Sequence, residues 1–493
     1  MNRAKTLGEL KKSGYKVLPV KDELRKNLIE KIKKKESLFP GIVGYDKTVI
    51  PQLVNALLSK HDFILLGLRG QAKTRILRAL PGFLDEYIPI IKGCPINDNP
   101  YDPVCVPCKK ILASQKDDLE IEWINREQRF QEKLATPDIT IADLIGDIDP
   151  IKAAREKLDF SDEQVIHYGI IPRVNRGIFA INELPDLQPR IQVGLLNIME
   201  EKDFQIRGFP IRIPLDILIV YSANPEDYTN RGNIITPLKD RIDSQIITHY
   251  PQCLDDAIKI TEQEAWLDRG LKIHIPHFFK EIIEEVAFVA RKSEFVDQSS
   301  GVSARLPISS LENLISNIEK RGLITGEKEL YPRICDLIAV IPSVTGKIEL
   351  VYEGEQEGHN IIAVNLVGRA IKEVFGKYFP DAKKNPTNLP ANLPSAKEDN
   401  HYGDVLKYFS AGKTVELSDE SPFEDYFSTL SKIPGLKKIA EKHMSTSGKE
   451  ELAAGMELVL EGLHQNNLIG KETFENAFRY TDMLATMLRG MED

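Results

Sequence analysis

At 493 residues, with 42% apolar and 28% charged side chains, the chain has the balance of a soluble globular protein of two to four domains. Its 65 basic and 74 acidic residues leave a net charge of -9, which argues against general affinity for nucleic acid, although a local basic patch would escape that count. An apolar run of 18 residues and the apolar core of a signal peptide are both missing, and five cysteines do not make a disulfide scaffold, so a reducing cytoplasm without membrane spans is expected.

Residues 1–36 form a charged, helical extension whose basic run, Lys31 to Lys35, reads as a solvated helix face. Phe39-Pro-Gly-Ile-Val-Gly-Tyr-Asp46 then introduces an amphipathic segment, Lys47 to Leu58. Phe63 to Leu66 reads as a buried strand of an α/β sheet. Gly67-Leu68-Arg69-Gly70-Gln71-Ala72-Lys73-Thr74 follows the spacing of a phosphate-binding loop, with Ala72 in place of the second glycine. Such a loop points unpaired backbone N–H groups at one spot beside a helix start, here Arg75 to Leu84, and so stabilises a polyphosphate. Lys73 would reach the terminal phosphates and the Thr74 hydroxyl would hold Mg²⁺. The plainer alternative is an ordinary strand-turn-helix.

The segment Cys94-Pro-Ile-Asn-Asp-Asn-Pro-Tyr-Asp-Pro-Val-Cys105-Val-Pro-Cys108 is rich in turn formers and reads as a loop. Cys94, Cys105 and Cys108 could supply three thiolates to zinc, but a tetrahedral site needs a fourth ligand and no histidine lies nearby in sequence. Three free thiols are the alternative. Residues 116–134 read as a charged helix, and 135–172 as a long insertion turning on Gly146 and Pro150.

Ile178 to Ile181 is a second buried strand, ending in Asn182 and Glu183. In nucleotide hydrolases of this architecture that end lies beside the phosphates, where an Asp steadies Mg²⁺ and a Glu orients the attacking water. Asn182 keeps an acceptor oxygen but no charge, which should weaken the ion's hold without abolishing it. Both residues could instead cap the following helix, Pro185 to Glu201. Phe204 to Ile213 reads as a hairpin, and Leu215 to Tyr221 as a third buried strand leading to Asn224, which could bind water or the terminal phosphate or simply make a turn with its proline. Arg241, between Asp240 and Asp243, is either a surface ion pair or an arginine finger donated to a neighbouring subunit.

Beyond Tyr250 the pattern turns helical: Leu254 to Leu267, Pro276 to Lys292, and Ser303 to Lys320 with Ser303 as cap. Arg305 could project onto a nucleotide from a lid. Residues 380–400 form a Pro- and Asn-rich linker to a mostly helical end piece.

Taken in order, Phe39-Pro-Gly-Ile-Val-Gly44, the phosphate loop, Gly93-Cys-Pro-Ile-Asn-Asp98, Ala135-Thr-Pro-Asp138, Ile145-Gly-Asp-Ile-Asp149, Asn175-Arg-Gly-Ile178, Asn224-Pro-Glu226 and Asp240-Arg241 identify a family. From about Phe39 to Tyr250 the chain resembles the AAA+ ATPase subunit of magnesium chelatase, and the Gly-x-Ala-Lys-Thr form of the loop is similar to the neighbouring MoxR group. The resemblance fades through the lid and does not reach residues 380–493. It implies an α/β fold: a three-layer AAA+ P-loop core with a parallel sheet (37–250), a helical lid (251–379), the linker, and a mostly helical C-terminal extension (401–493). By the same resemblance Ile42, Val43 and Gly44 would line the adenine pocket, Gly67 to Thr74 would be Walker A, and Asn182 with Glu183 the Walker B end. Asn224 would be sensor 1, Arg241 the finger in trans and Arg305 sensor 2. Insertion 135–172 and hairpin 203–213 would work on partners. The implied activity is ATP hydrolysis with Mg²⁺ in a hexameric ring that acts with a von Willebrand factor A protein. Asn182, where the family has Asp, bears on turnover more than on binding; a nucleotide-gated assembly module with little turnover is the alternative. A transcription activator is disfavoured, since neither the Gly-Ala-Phe-Thr-Gly-Ala loop nor a convincing helix-turn-helix is present.

Overall fold

Three apolar runs are buried at every position: Phe63–Leu66 (β1), and two others defined below as β3 and β4. Strands covered on both faces lose the polar alternation of a half-exposed sheet, which is why these read as continuous apolar segments. The computed structural model describes residues 3–157, 162–206, 212–225, 233–382, 401–418, 420–474 and 477–483. It divides into two units, Met1–His249 and Tyr250–Asp493.

In the first unit β1 joins Phe130–Leu134 (β2), Gly177–Asn182 (β3), Ile217–Ala223 (β4) and Ser244–Ile247 (β5) in one sheet ordered β5-β1-β4-β3-β2. Every neighbouring pair is parallel. The register sets Leu66 opposite Ala223, and Tyr221 opposite Ile181, so the carboxyl ends of β1, β4 and β3 lie side by side. Helices Val20–Lys34 (α1), Val49–Leu58 (α2), Lys73–Ala79 (α3), Pro189–Glu200 (α4) and Thr236–Arg241 (α5) complete the frame.

Residues 116–134 are not a charged helix: they hold strand Ile121–Asn125, a short 3₁₀ turn and β2. Charge misleads here because β2 is the last strand of the sheet, and edge strands carry exposed charged side chains. The N-terminal residues pack into the first unit. Val20, Leu24 and Leu28 share a core with Leu65, Leu77 and Leu218. Arg129 and Glu23, both buried, pair through two hydrogen bonds of 2.7 Å each. The insertion folds as antiparallel strands Gly146–Ile148 and Ile166–Tyr168, with Pro150 opening a helix between them. The expected hairpin pairs Asp203–Gln205 with Arg212–Pro214; its residues 207–211 lie outside the described residues.

The second unit contains helices Leu254–Glu264 (α6), His277–Ala290 (α7), Arg305–Thr325 (α8), His359–Tyr378 (α9) and Lys449–Gln465 (α10). One hydrophobic core runs through the lid and the end piece, from Phe279 and Leu314 to Val374, Leu436 and Leu458. The end piece also carries a three-stranded antiparallel sheet, Val415–Ser418, Gly470–Phe474 and Ala477–Thr481. Of the expected linker, residues 383–400 lie outside the described residues. Among the described residues no helix is long and apolar enough to cross a membrane.

Candidate nucleotide-binding site

The loop from Gly67 to Ala72 leaves β1 and enters α3. A Cβ at Gly67 would lie 2.0 Å from Thr248 Oγ1 and 2.1 Å from Gln71 Oε1, so no side chain fits there. Those two atoms are bonded to each other at 2.8 Å, and Thr248 N–H donates to Leu66 O at 2.7 Å, which fixes the loop against the end of β5. Gly70 and Ala72 both have left-handed backbone, at φ of 75° and 57°. Ala72 therefore stands where a glycine is at ease, at a cost of about 1 kcal/mol. Tyr45 OH donates to Gln71 O at 3.0 Å and also approaches His249 O at 2.7 Å, tying Ile42, Val43 and Gly44 to the loop's flank. Ile42 is buried in the core beside Leu77, and Gly44 has φ of 80°.

The buried Lys73 ammonium donates to Gly67 O (2.5 Å), Leu68 O (3.0 Å) and Asn224 Oδ1 (2.5 Å). Asn224 Nδ2 donates onward to Glu183 Oε2 at 2.9 Å. Ser222 Oγ donates to Asn182 Oδ1 at 3.0 Å and accepts from Glu183 N–H at 3.4 Å. The ends of β1, β4 and β3 therefore present one linked set: Lys73, Asn224, Glu183, Ser222 and Asn182. Glu183 has left-handed backbone, φ 56°, and is followed by a 3₁₀ turn, Leu184–Asp186; α4 starts only at Pro189. Glu183 stands at the N-cap of that 3₁₀ turn but makes no side-chain cap hydrogen bond, and neither it nor Asn182 caps α4. Thr74 sits half-buried in the first turn of α3.

Arg241 lies outside this set, and Arg305 belongs to the second unit. Arg241 ends α5 and pairs with Glu200 of α4, its Nε at 2.9 Å from Oε2, while also donating to Pro237 O. Arg305 opens α8 in the second unit, and its N–H donates to Ser303 Oγ at 3.1 Å, but the helix's N-cap is Ala304 and not the expected Ser303. Sequence reasoning passed over Ser222, Thr248 and Tyr45, whose roles depend on strand register. It also passed over Asp98: the donor atoms of Cys94, Asp98, Cys105 and Cys108 all lie within 4.8 Å of one another.

A parallel sheet in this order, with a phosphate loop after β1 and polar side chains at the ends of β3 and β4, defines the AAA+ class of P-loop proteins. No family model matches the chain. A magnesium-chelatase subunit ChlI homolog from Methanocaldococcus jannaschii is 30% identical over 207 residues, 40% of this chain and 52% of that protein. An archaeal Lon protease from Thermococcus kodakarensis is 27% identical over 169 residues, 30% of this chain and 25% of that protein. The chain thus spans about half, or less, of the length of these curated relatives. Among solved structures, the complex of magnesium chelatase subunits BchI and BchD is matched at 17% identity and a TM-score of 0.34, over 65% of this chain and 98% of that one. NtrX from Brucella abortus in complex with ATP is matched at 13% identity and a TM-score of 0.34, over 59% and 52%. The first unit has the AAA+ type of P-loop fold, and over 207 residues the chain is homologous to the magnesium-chelatase subunit ChlI homolog.

Proposed function

We propose that the first unit binds ATP with Mg²⁺ and hydrolyses it, in a cytoplasmic ring of copies, most simply a hexamer, whose cycle remodels or loads a partner protein. The observation that carries this reading is the contact chain from Lys73 through Asn224 to Glu183. A buried cation and a half-buried carboxylate share one amide partner at the end of a phosphate loop. Backbone N–H groups of Gly67 to Thr74 would cradle the phosphates, and Lys73 would exchange its loop carbonyls for the terminal phosphate oxygens. Ile42, Val43 and Gly44, anchored through Tyr45, suit the adenine side. Glu183 would leave the Asn224 amide to orient a water toward the γ-phosphorus; the P–O bond to ADP breaks as the water's oxygen adds. Asn224 would hold that water or the γ-phosphate.

The oxygens of Thr74 and Asn182 are the hard donors that Mg²⁺ prefers, and these residues would hold it. When bound, the ion would neutralise phosphate charge. Arg241, on a surface helix, would act on a neighbouring copy's nucleotide, exchanging Glu200 for phosphate, and Arg305 would act from the lid. Insertion 135–172 and hairpin 203–213 are the proposed partner surfaces, with a von Willebrand factor A protein as the partner implied by the chelatase and MoxR resemblance.

A second reading, a module that binds ATP but barely turns over, is favoured by Asn182, which has no charge and whose amide oxygen already accepts from Ser222. Phosphate release by the wild-type chain, Lys73→Ala and Glu183→Gln tests the first reading. Hydrolysis should fall in both variants, with ATP still bound by Glu183→Gln. Equal rates in all three would remove the catalytic claim.

A further inference from the structure

Cys94 follows strand Tyr87–Ile91, whereas Cys105 and Cys108 bracket the start of helix Val106–Gln115. All three thiols are buried, and so is Asp98, which is fully covered. Their four donor atoms lie within 4.8 Å of one another. A tetrahedral zinc ion with Zn–S bonds of about 2.3 Å sets its sulfurs about 3.8 Å apart, a ring of this size. A polynuclear iron–sulfur cluster, with several atoms between its thiolates, needs a wider one.

The local hydrogen bonds are those of a ligand knuckle. Asp98 N–H donates to Cys94 Sγ and Cys108 N–H donates to Cys105 Sγ, each at 3.4 Å. N–H groups aimed at sulfur favour the thiolate, the form that binds metal. Asp98 accepts from Val104 N–H through Oδ1 and from Cys105 N–H through Oδ2, both at 3.1 Å, which aims the carboxylate and leaves lone pairs on each oxygen. Among the described residues no lysine, arginine or histidine pairs with Asp98. Four potential anions buried without a cation are costly, and a divalent ion removes that cost.

We propose that Cys94, Asp98, Cys105 and Cys108 bind one structural zinc ion. The ion closes the site and pins the loop after strand Tyr87–Ile91 to helix Val106–Gln115. Through that helix it steadies the insertion, because Glu163 accepts from Val106 N–H at 3.1 Å and from Tyr168 OH at 3.0 Å.

The test is metal content of the full chain purified under reducing conditions without chelator. Mass spectrometry of the elements should find about one zinc ion per chain, falling below about a tenth in Cys105→Ser and Cys108→Ser and unchanged in Cys253→Ser. Because the serine variants could misfold, the wild-type chain is also grown with cobalt. Tetrahedral thiolate-bound Co²⁺ should give an intense near-ultraviolet charge-transfer band with visible d–d bands, and both should shift in Asp98→Asn. A wild-type chain that retains no stoichiometric zinc and takes up no cobalt overturns the site. A native Cys105–Cys108 disulfide does the same, and an unshifted Asp98→Asn spectrum overturns the fourth ligand.

Discussion

Lys73 Nζ meets Asn224 Oδ1 at 2.5 Å across 151 positions of sequence. The same amide donates to Glu183 at 2.9 Å, so one neutral side chain touches both the cation and the carboxylate of the site. Asn224→Ala should remove the partner that Lys73 and Glu183 share, lowering hydrolysis about a hundredfold while ATP affinity changes less than about tenfold. Phosphate release and calorimetry with Mg²⁺–ATP read the two effects separately, and an unchanged rate would remove Asn224 from the site.

Asn182→Asp places a carboxylate where Ser222 Oγ already donates at 3.0 Å, so the new charge arrives with its hydrogen bond in place. If the neutral amide is what limits turnover, the variant should hydrolyse ATP roughly tenfold faster, about 1.4 kcal/mol of barrier, and saturate at lower Mg²⁺. A rate equal to wild type would show that Asn182 is no handicap.

The loop offers a stability test. Ala72, at φ 57°, carries a Cβ in left-handed backbone. Ala72→Gly should raise the first unit's stability by up to about 1 kcal/mol, less the entropy that glycine adds to the unfolded chain. Urea unfolding with and without ATP measures it, and a variant less stable than wild type would refute the strain.

Glu23 and Arg129 are both nearly inaccessible to water, and Arg129 Nε also donates to Arg176 O at 2.8 Å. Removing one charge strands the other, so Glu23→Ala should destabilise the first unit by about 3–5 kcal/mol. A denaturant midpoint within error of wild type would mean that the N-terminal helix is dispensable.

In the second unit, burial pushes the Glu284 carboxyl up to about 7, against the pull of Thr261, whose hydroxyl donates to it, and of Arg291. The folded form keeps this proton where the unfolded chain has released it. Stability is therefore greatest below the unfolded value of about 4.3 and falls as pH rises to about 7, by about 4 kcal/mol for this group. Glu457, also pushed up to about 7 by burial, works in the same direction. Glu284→Gln should gain on wild type at pH 8 and not at pH 4.5, as read by urea midpoints; parallel shifts at both would exclude the assignment.

Residues whose roles are local were the legible ones. Gly67 to Thr74 and the buried runs of β1, β3 and β4 carry their chemistry in consecutive positions. The edge strand β2 was hidden, because Phe130-Gln-Glu-Lys-Leu134 carries half-buried charges, Glu132 and Lys133, that a helix face would also carry. Asp98 escaped notice because zinc ligands were sought among sulfur and imidazole, and only the folded loop brings its carboxylate to the thiols. Ser222 and Thr248 depend on which strands are neighbours, something no single segment encodes.

The Val20 N–H finds its acceptor in the Asp216 carboxylate, at 2.9 and 3.0 Å and 196 positions downstream. On a ribosome adding about 5–20 residues per second, that helix start waits roughly 10–40 s for its acceptor. Val20, Leu24 and Leu28 must stay in water or in the keeping of a chaperone meanwhile, which makes vectorial synthesis, rather than equilibrium stability, the stage at which the first unit is most vulnerable.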